Sequence, residues 1–135
     1  MPDYEPRNNR YRPVDPAVWT DQRIQALSPM LCSPLALFLF LMTCRDGGFI
    51  PGVVIIGVAA AAEILGWDPG ETRKALNELC EAGLVKVDVR ARLVYITGSV
   101  HAHPPANPNI VVSWRTTWHE ITDCPLKEEI WQELL

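Results

Sequence analysis

The stretch from Ala75 to Val89, ALNELCEAGLVKVDV, changes its apolar period from about 3.6 to 2 across a single glycine, Gly83. A helix that ends on a glycine and turns at once into a strand must bury both elements locally, which narrows the folds open to the chain. Upstream, Asp68 followed by Pro69 supplies an N-cap and a ring-fixed first position, and the helix is expected to bury Ala75, Leu76, Leu79, Cys80 and Ala82. Its outward face is then Glu71, Arg73, Lys74, Asn77, Glu78 and Glu81. Downstream, Val85, Val87 and Val89 alternate with Lys86, Asp88 and Arg90 as a half-exposed strand. The next run, Leu93-Val94-Tyr95-Ile96, is apolar throughout and predicts a central strand covered on both faces.

The remaining elements follow from turn and cap residues. Residues 1–14 place Arg7, Arg10 and Arg12 beside Tyr4 and Tyr11 among prolines and asparagines, an arm without regular structure. Asp15-Pro16 starts a short helix through Val18, Trp19, Ile24 and Leu27. Ser28-Pro29 and Ser33-Pro34 lead into LALFLFLMTC, apolar enough to imply burial on almost all sides. Arg45-Asp46-Gly47-Gly48 is a turn, and Phe49-Ile50 is the natural third strand, with residues 93–97 in the middle of the sheet. A helix from about Ile55 ends on Gly66 as a left-handed C-cap. The expected fold is therefore α+β, mostly α. It is a winged helix-turn-helix over residues 15–97, with a small three-stranded sheet whose hairpin is the wing. Residues 98–135 add a loop and C-terminal helices, with Ile110, Trp114, Trp118 and Ile121, then Leu126, Ile130 and Leu134, at helical spacing.

Charge and cysteine content bound the function classes. The formal net charge of −4 argues against a protein that coats nucleic acid. From Glu120 onward, Glu120, Asp123, Glu128, Glu129 and Glu133 face Lys127 alone, so the tail carries the whole excess and residues 1–119 balance. Cys32, Cys44, Cys80 and Cys124 form no C-x-x-C pair, as expected of buried thiols in a reducing cytoplasm. The apolar run Pro34 to Cys44 has eleven residues, and the one from Phe49 to Gly66 is broken by Pro51, Gly52, Gly57 and Glu63, which argues against a membrane span. His101 and His103 share one side of an extended segment but lack a second ligand pair, so no metal is expected and they are taken as surface histidines. No nucleophilic triad order, phosphate-cradling glycine loop or paired carboxylates stand out, so neither enzymatic activity nor a cofactor is expected.

RPVDPAVWTDQRIQALSP, the apolar helix behind it, the Asp-Gly turn and ALNELCEAGLVKVDVRARLVYI together resemble the N-terminal winged-helix domain of phage replication-initiation and replisome-organiser proteins, over roughly residues 11–97. The landmarks are Trp19, Asp21, Leu27, Ser28, Pro29 and Gly48, then Leu76, Leu79, Gly83, Leu84, Val85, Tyr95 and Ile96. The resemblance implies a module that binds double-stranded DNA in phage or prophage replication, working in the bacterial cytoplasm and meeting other replication proteins. It departs from the pattern at the wing tip, Arg90-Ala91-Arg92, which lacks glycine or asparagine. It departs again at VVIIGVAAAA, an apolar surface at 53–62 that would suit a partner or a second copy in a homodimer.

Arg73, Lys74 and Asn77 are of the types that pair with guanine or adenine edges from the first turns of a recognition helix. Lys86, Arg90 and Arg92 on the wing suit phosphates, and Arg10 and Arg12 on the arm suit a neighbouring minor groove. Glu71, Glu78 and Glu81 count against phosphate contact on the same helix. Trp114, Trp118 and Trp131 either pack on the domain's own core or anchor a partner, and Leu126, Ile130, Trp131 and Leu134 would line a detachable amphipathic helix. The alternative function is a protein-interaction or transcription-regulatory winged helix that does not itself bind DNA tightly.

Overall fold

Side-chain caps begin most of the helices, and left-handed glycines end two of them. The computed structural model describes residues 14–27, 30–44, 50–99 and 107–134. Asp15 caps a 3-10 turn, Pro16–Trp19, and Asp21 caps a separate short helix, α1 (Gln22–Gln25). The expected single helix is thus cut in two, because the Asp21 carboxylate takes the Arg23 and Ile24 N–H groups and opens a new first turn. Ser33 caps α2 (Pro34–Thr43) through the Ala36 N–H at 3.1 Å. Strand β1 (Val53–Ile55) and α3 (Val58–Leu65) follow, and α3 closes on Gly66 at φ 72°, where Trp67 N–H reaches back to the Ala62 carbonyl. Asp68 then caps α4 (Pro69–Glu81), which leads through Gly83, at φ 77°, into β2 (Val85–Asp88) and β3 (Leu93–Ile96). The last two helices are α5 (Pro108–Glu120), capped by Asn107, and α6 (Pro125–Leu134).

The protein is α+β and mostly helical, with a three-stranded antiparallel sheet in the order β1-β3-β2. The third strand is Val53–Ile55; Ile50 lies in a bend ahead of it, and Phe49 lies outside the described residues. Pro51 and Gly52 make their turn before the strand, and Gly52 sits at φ 78° with its carbonyl accepting from Ile96 N–H at 2.8 Å. Because Val54 and Val87 both register with Val94, side chains alternate across the sheet in step. Val54, Val85 and Val94 join Leu37, Phe40 and Leu41 of α2 with Ala61, Ala75, Leu76 and Leu79 in one core. Val53, Leu93 and Tyr95 join Ile50, Trp114, Ile121, Leu126 and Ile130 in a second core on the other face. Three layers result: helices α2, α3 and α4, then the sheet, then α5 and α6.

Four expectations change with burial. The 53–62 segment is no exposed apolar surface, since Val53, Val54, Ile56, Ala61 and Ala62 are buried. Helix α4 buries Thr72, whose hydroxyl donates to the Asp68 carbonyl, whereas Cys80 and Ala82 are exposed. Strand β2 stops at Asp88, leaving Val89 in the turn and exposed. Helix α2 is not buried all round: Ala36, Leu37, Phe40 and Leu41 face inward while Leu35, Leu39 and Met42 face out. No helix among the described residues is long and apolar enough to cross a membrane.

A Cβ at Gly52 would meet the Ser99 side chain and lie 2.8 Å from the Ile96 carbonyl oxygen, at a φ that L side chains rarely adopt. Gly52→Ala is therefore expected to lower stability by about 2–4 kcal/mol in denaturant titration, more than positive φ alone would cost. Ile130 has no exposed surface. Ile130→Ala should cost about 2–5 kcal/mol, and amide exchange in α6 should rise with it; unchanged exchange would mean that α6 does not depend on the second core.

Candidate nucleic-acid interface

Helix α4 owes its polar face to its cap. Asp68 Oδ2 accepts from the Glu71 N–H at 3.1 Å, and Pro69 fixes the first turn, so the outward positions start immediately behind it. Arg73, Lys74 and Asn77 are all exposed, and none makes an ion pair or hydrogen bond among the described residues. At about 100° per residue they span an arc of about 100°. Glu81 falls within that arc nearer the C-terminus, and Glu71 and Glu78 flank its Lys74 edge, all three exposed. The bases of this helix are thus gathered in its first half and its acids distributed around them.

The hairpin tip solves the missing-glycine problem with two devices. Asp88 Oδ1 accepts from the Ala91 N–H at 2.9 Å, and Arg92 takes the left-handed conformation at φ 53° with its N–H bonded to the Val89 carbonyl. Ala91 tucks into the second core, which leaves Arg90 and Arg92 outward. The Arg92 stem runs past Gly57, whose Cβ position lies 3.6 Å from both Arg92 Cγ and Cδ.

Helix and hairpin are brought together by the chain reversal at Gly83. Leu84 N–H bonds to the Leu79 carbonyl, and the Thr97 hydroxyl approaches the Gly83 and Leu84 carbonyls at 2.8 and 3.2 Å. The base of the hairpin is thereby fixed to the end of α4. Its tip returns toward the first turns, where Thr72 and Leu76 line one crevice with Val87, Asp88, Val89 and Arg92. The segment before α2 reaches the same end of α4. Burial, and then Glu71 and Asp68, push the Cys32 thiol above its ordinary value.

Lys86 and the tryptophans occupy different ground. Lys86 registers opposite Tyr95, on the sheet face covered by α5 and α6, and its Nζ lies 3.8 Å from Glu129 of α6. It is not an unengaged cation, although both partners are more than half exposed and such a pair contributes only about 0–1 kcal/mol. Trp114 is buried and offers no face to a partner, which corrects its assignment to a docking surface. Trp118 is partly buried, with Trp131 at 5.5 Å and Lys127 Nζ 4.9 Å above its ring. Only Trp131 of the three is exposed, and α6 buries Leu126 and Ile130 instead of presenting them. Arg10, Arg12, His101 and His103 lie outside the described residues.

The sequence carried no signal for Asp88 as the clamp of the tip or for Glu129 as the partner of Lys86. The first needed the strand end, and the second needed the sheet register. Searches against family models, curated proteins and solved structures give no significant match.

Arg92→Asn, which tolerates positive φ, should leave stability within about 0.5 kcal/mol, whereas Arg92→Val should lose about 2 kcal/mol through backbone strain. Chemical denaturation of the two variants checks this, and equal losses would mean that the tip does not hold its left-handed residue.

Proposed function

We propose that the chain is a winged helix-turn-helix that binds double-stranded DNA, with α3 and α4 as the helix pair and the β2–β3 hairpin as the wing. The observation that carries this proposal is the return of the hairpin tip to the first turns of α4, where both elements line one crevice. Arg73, Lys74 and Asn77 then stand on one element and Arg90 and Arg92 on its neighbour, all exposed and without ion pairs among the described residues. In this arrangement the helix residues meet base edges and the wing arginines meet phosphates. Lys86 can exchange Glu129 for a phosphate at little cost, since an exposed pair is weak. The likeness of residues 11–97 to phage replication-initiation proteins makes replication initiation in a bacterial host the preferred setting.

One feature favours a second reading, a protein-interaction module that binds DNA weakly or not at all. The acidic helix α6 lies along the sheet and engages the hairpin through Glu129, lowering the positive potential beside the wing.

Fluorescence anisotropy of a labelled random duplex, titrated at two salt concentrations, separates the two. Binding that weakens steeply with salt is the expected result, and its absence at low salt turns the assignment to the protein-interaction module. Arg90→Ala should then weaken all duplexes about equally and reduce the salt slope by about 1, whereas Lys74→Ala should reduce sequence preference by about 1–3 kcal/mol. If neither substitution alters binding, α4 and the wing are not the contact face.

A further inference from the structure

We propose that Glu129 of α6 is a built-in competitor of DNA, holding at the wing the place that a backbone phosphate would take at Lys86. The proposal rests on the DNA-binding reading above and adds to it a restraint supplied by the chain itself. Lys86 projects from β2 onto the sheet face that α6 covers, and its Nζ lies 3.8 Å from a Glu129 carboxylate oxygen. A carboxylate and a backbone phosphate each offer one negative charge shared over oxygens that accept from an ammonium group. One cation cannot serve both in full, so a duplex held through Lys86 has to displace Glu129 or leave Lys86 unused.

Packing keeps the competitor in position. Helix α6 lies along β2 and is anchored by the buried Leu126 and Ile130. At about 100° per residue, Glu129 borders that buried stripe, whereas Glu128 lies opposite it. The cation of the same helix does not neutralise Glu129. Lys127 Nζ bonds instead to the Ile121 carbonyl at 3.1 Å and to the Asp123 carboxylate at 3.2 Å, and it lies over the Trp118 ring. The Glu129 carboxylate therefore stays beside Lys86 whether or not the pair is formed at a given moment.

The restraint is graded and does not lock the wing. Both side chains are more than half exposed, so displacing Glu129 requires only side-chain rotation, and α6 stays docked through Leu126 and Ile130. An exposed pair of this kind is equivalent to at most about a fivefold change in an equilibrium constant. Glu129 belongs to the layer on the other side of the sheet from α4. It acts on phosphate contact at the wing and leaves base reading by Arg73, Lys74 and Asn77 alone.

Anisotropy of a labelled random duplex at low salt, with the full chain, tests the proposal. Glu129→Gln should tighten binding about two- to fivefold. Glu128→Gln makes the same change of charge on the opposite side of the same helix and should tighten it less. In a Lys86→Gln background the gain from Glu129→Gln should largely disappear, which marks it as a property of the pair. All three positions are exposed, so circular dichroism should be unchanged in every variant. If the wild type binds and Glu129→Gln binds no better, or its gain is matched by Glu128→Gln or persists undiminished beside Lys86→Gln, the competitor is overturned and the DNA-binding reading stands. If neither the wild type nor Glu129→Gln binds the duplex, the reading and the proposal fall together.

Discussion

The architecture depends on one four-residue strand that must be covered twice. Leu93, Val94 and Tyr95 are all buried, on alternating faces, so β3 cannot sit at an edge or face water on either side. β1 and β2 take its two hydrogen-bonding edges, and two helical layers take its two faces. Either layer alone would leave half the strand wet. The C-terminal helices are accordingly part of the folded body, with Trp114, Leu126 and Ile130 supplying the second cover.

Much of this was legible because it is local. Asp15, Ser33, Asp68 and Asn107 act as caps where they occur in the sequence, and Gly66 and Gly83 end their helices left-handed. The doubly apolar run gave away the central strand. What failed was long-range. Phe49-Ile50 looked like a strand because β propensity is local, while the pairing edge was decided by Gly52 closing against Ile96 and Ser99. The LALFLFLMTC helix reads as buried all round, since periodicity is silent when every position is apolar; only packing distinguishes Leu37 from Leu39. The segment at 53–62 failed in the opposite sense, its valines being absorbed by two cores at once.

The candidate interface was legible in its residue types and not in its context. Arg73, Lys74, Asn77, Arg90 and Arg92 are outward as the pattern required. Lys86 was of the right type but on the sheet face that α6 covers, a consequence of pairing with Tyr95 that no inspection of β2 alone reveals. The acids of the tail, spread along the sequence as a simple excess, are in space concentrated on one layer, away from the outward face of α4. Net charge is therefore a poor guide to this molecule's local field.

The Thr97 hydroxyl, set against the carbonyls of Gly83 and Leu84, joins the end of a helix to the far end of the hairpin that follows it. A freely hinged hairpin would have to be ordered each time a ligand engaged it together with α4, at an entropic cost for every residue brought to rest. Here the base of the hairpin is already held to the end of the helix by those two contacts. A ligand that met α4 and the hairpin together would find that part of the cost already met, at a threonine far from the tip.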